Sequence, residues 1–322
     1  MDFTGDGIAD ILSGSYWSDD PNCAGGNPQA GYIYLLAGKD DGSFEEAVPL
    51  LNAEDKPLTN VPLSQEKLDN YSTDDIEWAN ICTCQHAADY DGDGDLDLIC
   101  GEMGSGIYIH INSASSATDP PKFGQPQQLA DSPDRHSNPH LVDWDGDGDL
   151  DLISGGESGC VYLLANEGTS TDPKWAGFER LIKLEASYQQ TTDGGAEIEP
   201  GRNSRVWATD FNHDGKMDLL VGDSTTIENT IPGLSEEKAA KLKAEYDAEM
   251  SLLQKKMQAV YGKYEDEMKE AMSDGVAAML EFREKIEEEI GPVNEEMQKL
   301  REKEDQFIDR TSTGHVWVHL QK

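Results

Sequence analysis

Four copies of one acidic nonapeptide organise this chain. They run Asp2–Asp10, Asp89–Asp97, Asp143–Asp151 and Asp210–Asp218, with oxygen-bearing side chains at positions 1, 3, 5 and 9 and glycine at position 6. Each leads into a short apolar stretch ending in glycine, at Gly14, Gly101, Gly155 and Gly222. A second apolar stretch follows, centred on Tyr34, Tyr108, Tyr162 and Trp317. In the two middle copies that aromatic lies 19 residues after the first aspartate, and Asp119-Pro-Pro-Lys-Phe123 and Asp172-Pro-Lys-Trp175 extend the correspondence. Short stretches rich in Val, Ile, Tyr and Trp, punctuated by Gly and Pro, read as strands. Four-stranded units recurring every roughly fifty to sixty residues predict a mainly β fold, a β-propeller with one acidic loop per blade. The repeats of a stacked solenoid are usually shorter.

The loops predict metal sites. Alternating oxygens on a tightly curled loop converge on one point, and the backbone carbonyl of position 7 adds a ligand. The candidate ligands are Asp2, Thr4, Asp6, Ile8 and Asp10 in the first loop, and Asp89, Asp91, Asp93, Asp95 and Asp97 in the second. The third offers Asp143, Asp145, Asp147, Asp149 and Asp151, and the fourth Asp210, Asn212, Asp214, Lys216 and Asp218. Carboxylates packed this closely repel one another unless a cation sits among them. All-oxygen ligation selects Ca²⁺ over Zn²⁺ or Cu²⁺, so about four calcium ions are expected. An EF-hand would need glutamate at position 12, where this chain has Ser13, Cys100, Ser154 and Val221.

One stretch breaks the repeat. Between Ser235 and Arg310 the composition turns to Glu, Lys, Met, Ala and Leu. Tyr246, Met250, Leu253, Met257, Val260 and Tyr264 alternate steps of four and three, the seam of a coiled-coil helix. Ser235 is the expected N-cap, Ser273-Asp274-Gly275 the turn, and Gly291-Pro292 a kink in the second arm. Two arms of matched length return the chain to where it left. The expected division is therefore a propeller over residues 1–234 and 311–322, with 235–310 as an inserted antiparallel helical hairpin. Excising the hairpin brings Trp317 into the place of the missing second strand of the fourth repeat.

Composition excludes several functions. With 64 acidic against 25 basic residues, the net charge is −39, and most of the excess lies outside the hairpin. Such a surface repels phosphate backbones and anionic headgroups, so nucleic acid is not an expected partner. No apolar run approaches the ~20 residues that span a bilayer, so no membrane insertion is expected. Five cysteines leave at least one thiol unpaired within the chain. Because the first loop begins at Asp2, its repeat lacks the entering strand that precedes the other loops; further N-terminal sequence, or closure by another segment or subunit, is expected to supply it.

Aligning the entering strands puts His86, His140 and Trp207 in register, with Cys84, Asn138 and Arg205 two residues earlier. On innermost strands these residues, with His136, either ring a ligand site at the channel mouth or simply solvate a polar channel. Cys82, Cys84 and His86 share one strand face and suggest a soft-metal site; the alternative is an ordinary strand entering a blade. No nucleophile elbow, phosphate-binding loop or zinc-protease helix is present.

The acidic loops resemble those of the FG-GAP and VCBS repeat family, best known from integrin α-subunit propellers. The resemblance implies a propeller with Ca²⁺ in the loop between the first two strands of each blade. No Phe-Gly…Gly-Ala-Pro signature is retained: Phe123-Gly124 is followed by Gln125-Pro126. The late helical insert is similar to that of bacterial exported members, which implies a secreted, cell-surface or periplasmic location. The expected function is a non-enzymatic, calcium-binding module for a protein or glycan, with the hairpin as a contact arm or oligomerisation element. The alternative is a carbohydrate-active enzyme resembling polysaccharide lyases, using the channel-mouth His and Arg residues.

Overall fold

A computed structural model describes residues 1–15, 31–62, 78–81, 83–114, 120–183, 189–274 and 276–322. They form two compact units: Met1–Tyr188 with Pro200–Ser224 and Gly314–Lys322, and Gln189–Glu199 with Thr225–Thr313.

The first unit is a succession of antiparallel sheets, one per acidic loop. The first sheet orders β1 (Ile11–Gly14), β2 (Ile33–Leu36) and β3 (Val48–Pro49). The second is a meander of β4 (Cys84–Ala88), β5 (Asp97–Gly101), β6 (Gly106–His110) and β7 (Gln127–Asp131). The third repeats it with β8 (Asn138–Val142), β9 (Asp151–Gly155), β10 (Val161–Leu164) and β11 (Glu179–Ile182). The first sheet has three strands among the described residues. In the fourth, β13 (Arg202–Thr209) and β16 (Val316–His319) flank β14 (Asp218–Thr230), with Val221 opposite Trp317. The chain therefore returns after its helices to complete the sheet it left, as the spacing of Trp317 predicts. A closed propeller is not seen among the described residues.

β5 and β9 are buried along their whole length, which explains their unbroken apolar runs. Three apolar layers hold successive sheets together. Ile33, Leu12 and Leu35 of the first sheet pack on Ala87, Leu98 and Cys100 of the second. Ile99, Ile107 and Ile109 of the second meet Leu141 and Leu152 of the third. Ile153 and Val161 of the third meet Val206, Ala208, Leu219 and Val221 of the fourth. Each burial is repeated because the same strand positions alternate faces in every copy.

The second unit holds α1 (Glu236–Lys263), α2 (Glu265–Asp274) and α3 (Val276–Glu304), with β12 (Gln189–Gln190), β15 (Ile308–Thr313) and the second half of β14. Ser235 caps α1, its hydroxyl accepting from the Lys238 amide. Leu253, Val293 and Leu300 form one seam between α1 and α3, joined by Met250, Met257 and Met297. Phe282, Ile286 and Ile290 form a second, against Val260, Tyr264 and Met268. Lys256–Glu296, Lys263–Glu289 and Lys303–Glu249 ion pairs flank these seams. Two features differ from the sequence expectation. The first arm breaks at Tyr264, between α1 and α2. α3 continues through Gly291-Pro292, with Pro292 inside the helix. The boundary at Arg310 falls inside β15, which pairs with Thr225–Thr230 of β14. Gly275 of the expected turn lies outside the described residues. No described helix is long and apolar enough to cross a membrane.

Candidate metal centres

Every acidic loop is curled by its position-1 carboxylate, which accepts from the position-6 amide in all four, together with the position-4 amide in the second and third loops and the position-5 amide in the first and fourth. Asp89 accepts from the Gly92 and Gly94 amides, Asp143 from Gly146 and Gly148, and Asp210 from Asp214 and Gly215. Position 6 is left-handed throughout, with φ of +88° at Gly7, +95° at Gly94, +97° at Gly148 and +89° at Gly215, so glycine there is a backbone requirement. Position 4 is left-handed as well, and here the fourth loop carries His213 where the others carry glycine.

The position-9 aspartate does more than the sequence indicates. Asp97 accepts from the Tyr90 amide at 2.9 Å and from the Asn112 amide at 2.7 Å. Asp151 does the same with Trp144 and Asn166, Asp10 with Phe3, Thr4 and Gly38, and Asp218 with Phe211, Asn212 and Gln321. One carboxylate thus clamps the start of its own loop to the far end of the next strand.

In two loops the carboxylates converge. Oxygens of Asp89, Asp91 and Asp97 lie within 4.8 Å of one another, as do those of Asp143, Asp145 and Asp151. Asp93 and Asp147, at position 5, each turn an oxygen to the amide of position 7. Asp95 and Asp149, expected to contribute only backbone carbonyls, are buried, and no donor reaches either carboxylate oxygen of Asp95 or the Oδ1 of Asp149. Burial pushes the Asp95 carboxyl up to about 6, aided by the charges of Asp93, Asp91 and Asp89. Burial also pushes Asp97 up to about 6, against the Asn112 and Tyr90 amides that stabilise its charged form. Buried carboxylates without counter-charge are costly, and a hard divalent cation matches this all-oxygen set. The residues fit calcium. In the first and fourth loops Thr4 and Asn212 replace a carboxylate at position 3, and Asn212 spends its amide on Asp214 and accepts from the Asp214 backbone.

The other candidate residues divide. The His86 and His140 rings lie 4.0 Å apart, and Trp207 lies 4.8 Å from His140, so the aligned positions do meet. Burial lowers His86 to about 4, and burial with the neighbouring His86 lowers His140 to about 3, so both are neutral at pH 7. His140 Nε2 accepts from the Ala208 amide, and Asn138 Oδ1 accepts from the Val206 amide. Arg205 donates to the His136 carbonyl. These contacts tie the third sheet to the fourth. Cys84, Cys100 and Cys160 form no disulfide, and Cys82 lies outside the described residues. Among the described residues no metal-ligand cluster includes Cys84 or His86.

The model of the FG-GAP-like repeat matches residues 89–154 and 143–221. Residues 89–221 carry FG-GAP-like repeats. The match takes in the second, third and fourth acidic loops, and the hydrogen-bond pattern just described extends to the first. No curated protein sequence matches the chain. Among solved structures, the chain is similar to the periplasmic gluconolactonase PpgL of Pseudomonas aeruginosa, at 16% identity and a TM-score of 0.32. The similarity covers 68% of this chain and 48% of that one, so the chain spans about half the length of that structure.

Proposed function

We propose that this chain is a calcium-stabilised β-propeller module that acts outside the cytoplasm and binds a protein or glycan without transforming it. The buried, donor-less oxygens of Asp95 (both) and Asp149 (Oδ1), each in a loop where three further aspartates converge, carry the reading. Asp89, Asp91 and Asp97, and Asp143, Asp145 and Asp151, would hold the two strongest ions. Asp2, Thr4, Asp6 and Asp10, and Asp210, Asn212, Asp214 and Asp218, with the Ile8 and Lys216 carbonyls, would hold two weaker ones. Bound calcium supplies positive charge that cancels carboxylate repulsion and fixes the loop that joins two strands. The succession of antiparallel sheets and the FG-GAP-like repeats support the propeller; sites of this exposed kind suit millimolar calcium outside the cytoplasm.

Calcium should raise the melting temperature by mass action, about 2.7 kcal/mol per site at a hundredfold excess over Kd. Chelation should reverse the gain, Mg²⁺ should restore little of it, and the first and fourth loops should empty first in a chelator titration. A melting temperature indifferent to chelator overturns the assignment. The carbohydrate-active alternative needs a free imidazole, whereas His140 spends its Nε2 on the Ala208 amide.

A further inference from the structure

The second unit holds an open cavity of about 510 Å³, apart from the acidic loops and lined wholly by that unit's own residues. Cavities that take small ligands run from ~300 to 1,000 Å³. Ala239 and Ala240 of α1, with Phe307 and Ile308, give it an apolar wall. The facing wall comes from β12 and the end of β14, and it is held in place by its own polar groups. Glu228 accepts from Arg310 Nε and Nη2 at 2.7 and 2.6 Å and from Gln189 at 2.8 Å. Arg310 also pairs with Glu304, so the charge of Glu228 is already answered.

The amides of this wall are spent as well. Gln190 donates to the Glu199 carbonyl and accepts from the Glu199 amide, both at 2.8 Å. Asn229 accepts from Thr191 and Thr192 and donates to the Thr192 hydroxyl. A glycan would need such planar amides for its hydroxyls, so the lining does not favour one. What remains is charge. Glu236 and Lys243 line the cavity, and neither side chain has a hydrogen bond or ion pair among the described residues. Asp193 adds a second carboxylate, with only its Oδ2 engaged, by the Thr230 amide at 2.7 Å. Glu236 and Lys243 are two turns apart on one face of α1, so opposite charges stand about 10 Å apart along the apolar wall.

We propose that this cavity binds a short peptide as a zwitterion, its terminal ammonium at Glu236, its terminal carboxylate at Lys243 and its apolar side chains on the wall between them. Three extended residues span about 10 Å, so a tripeptide matches the separation. The proposal rests on the binding role put forward above and narrows the bound molecule to a peptide.

Calorimetric titration of the calcium-loaded full chain with Ala-Leu-Ala tests this, beside its N-acetyl form, its C-terminal amide and maltotriose. Ala-Leu-Ala should bind, and each blocked form should bind about fivefold more weakly, the size of one partly exposed ion pair. Maltotriose should give no heat. Glu236→Gln should abolish only the preference over the N-acetyl form, and Lys243→Met only the preference over the amide. Both side chains are exposed on α1, so both variants should keep the wild-type circular dichroism. No binding of Ala-Leu-Ala, equal binding of the blocked forms, or preferences that survive the substitutions overturns the proposal, and so does binding of maltotriose in the peptide's place. The response of the melting temperature to chelator reads the calcium loops separately, so the two readings fail independently.

Discussion

Replacing Asp97 should separate the two tasks that the position-9 carboxylate performs. Its oxygens accept from the Tyr90 and Asn112 amides at 2.9 and 2.7 Å, and the side chain is buried. Asp97→Ala leaves two backbone amides without an acceptor, each worth about 1–3 kcal/mol, so the clamp alone should cost about 2–6 kcal/mol. Asp91, by contrast, is exposed and accepts only a long contact from the Asp93 amide, which asparagine retains. Asp91→Asn should therefore cost stability with calcium bound and almost nothing in chelator, where it removes one of several repelling charges. Urea unfolding followed by tryptophan fluorescence, with calcium and with chelator, gives the four numbers required. The clamp predicts that Asp97→Ala loses about 2–6 kcal/mol in chelator, and more than that with calcium. If the two variants are equally stable in chelator, Asp97 is only a metal ligand and the double role is refuted.

Further outcomes follow from other elements. His140 is held near pKa 3 by burial and by His86, whereas the unfolded imidazole titrates near 6.5, so between those values the unfolded chain binds the extra proton. Its contribution is constant above about pH 7.5, and stability should then fall by about 1.4 kcal/mol per pH unit below 6.5; in His140→Asn the slope between pH 6 and 5, measured in calcium, should flatten, and an unchanged slope sinks the assignment. His213→Gly should stabilise the fourth loop by up to about 1 kcal/mol, since left-handed backbone costs an L-residue about 1–2 kcal/mol and glycine's flexibility returns part of that. Gly146→Ala should destabilise the third loop by a similar amount, and a urea midpoint that falls in His213→Gly or rises in Gly146→Ala would refute the backbone argument. Joining Ser224 to Gly314 through a two-residue Asn-Gly turn should leave a folded, calcium-responsive first unit, because Thr225 and Thr313 are register partners and the Asp223 amide bonds the His315 carbonyl. Loss of the β signal in circular dichroism would show that the first unit depends on the second.

The repeats were legible because each copy solves the same problem with the same residues. Asp-x-Asp-Gly-Asp-Gly locates a turn, and the apolar run behind it locates a buried central strand, so β5 and β9 fall where the sequence puts them. The register of His86, His140 and Trp207 was legible for the same reason: aligned loops align the strands before them. Other features left no local signal. β12 is two residues long and pairs in parallel with β14, so nothing in Gln189-Gln190 announces that Gln189–Glu199 belongs with the helices. The break at Tyr264 falls in a seam whose apolar spacing is uninterrupted. The side chains of Asp95 and Asp149 pass for solvent-facing charges in a loop already crowded with them, and only burial shows otherwise.

The position-9 clamp was hidden by distance, and it alters what the loops accomplish. A metal ligand alone would order nine residues. Asp97 and Asp151 also hold the amides of Asn112 and Asn166, beyond the ends of β6 and β10, so each is both part of a cation site and a fastener between two strands. Asn112 and Asn166 in turn accept from the Lys122 and Lys174 amides, carrying the connection towards β7 and β11. A cation that fixes the Asp97 carboxylate therefore fixes strand register across the sheet. On the proposed reading, cation-binding energy gained in a surface loop would be delivered to the pairing of strands.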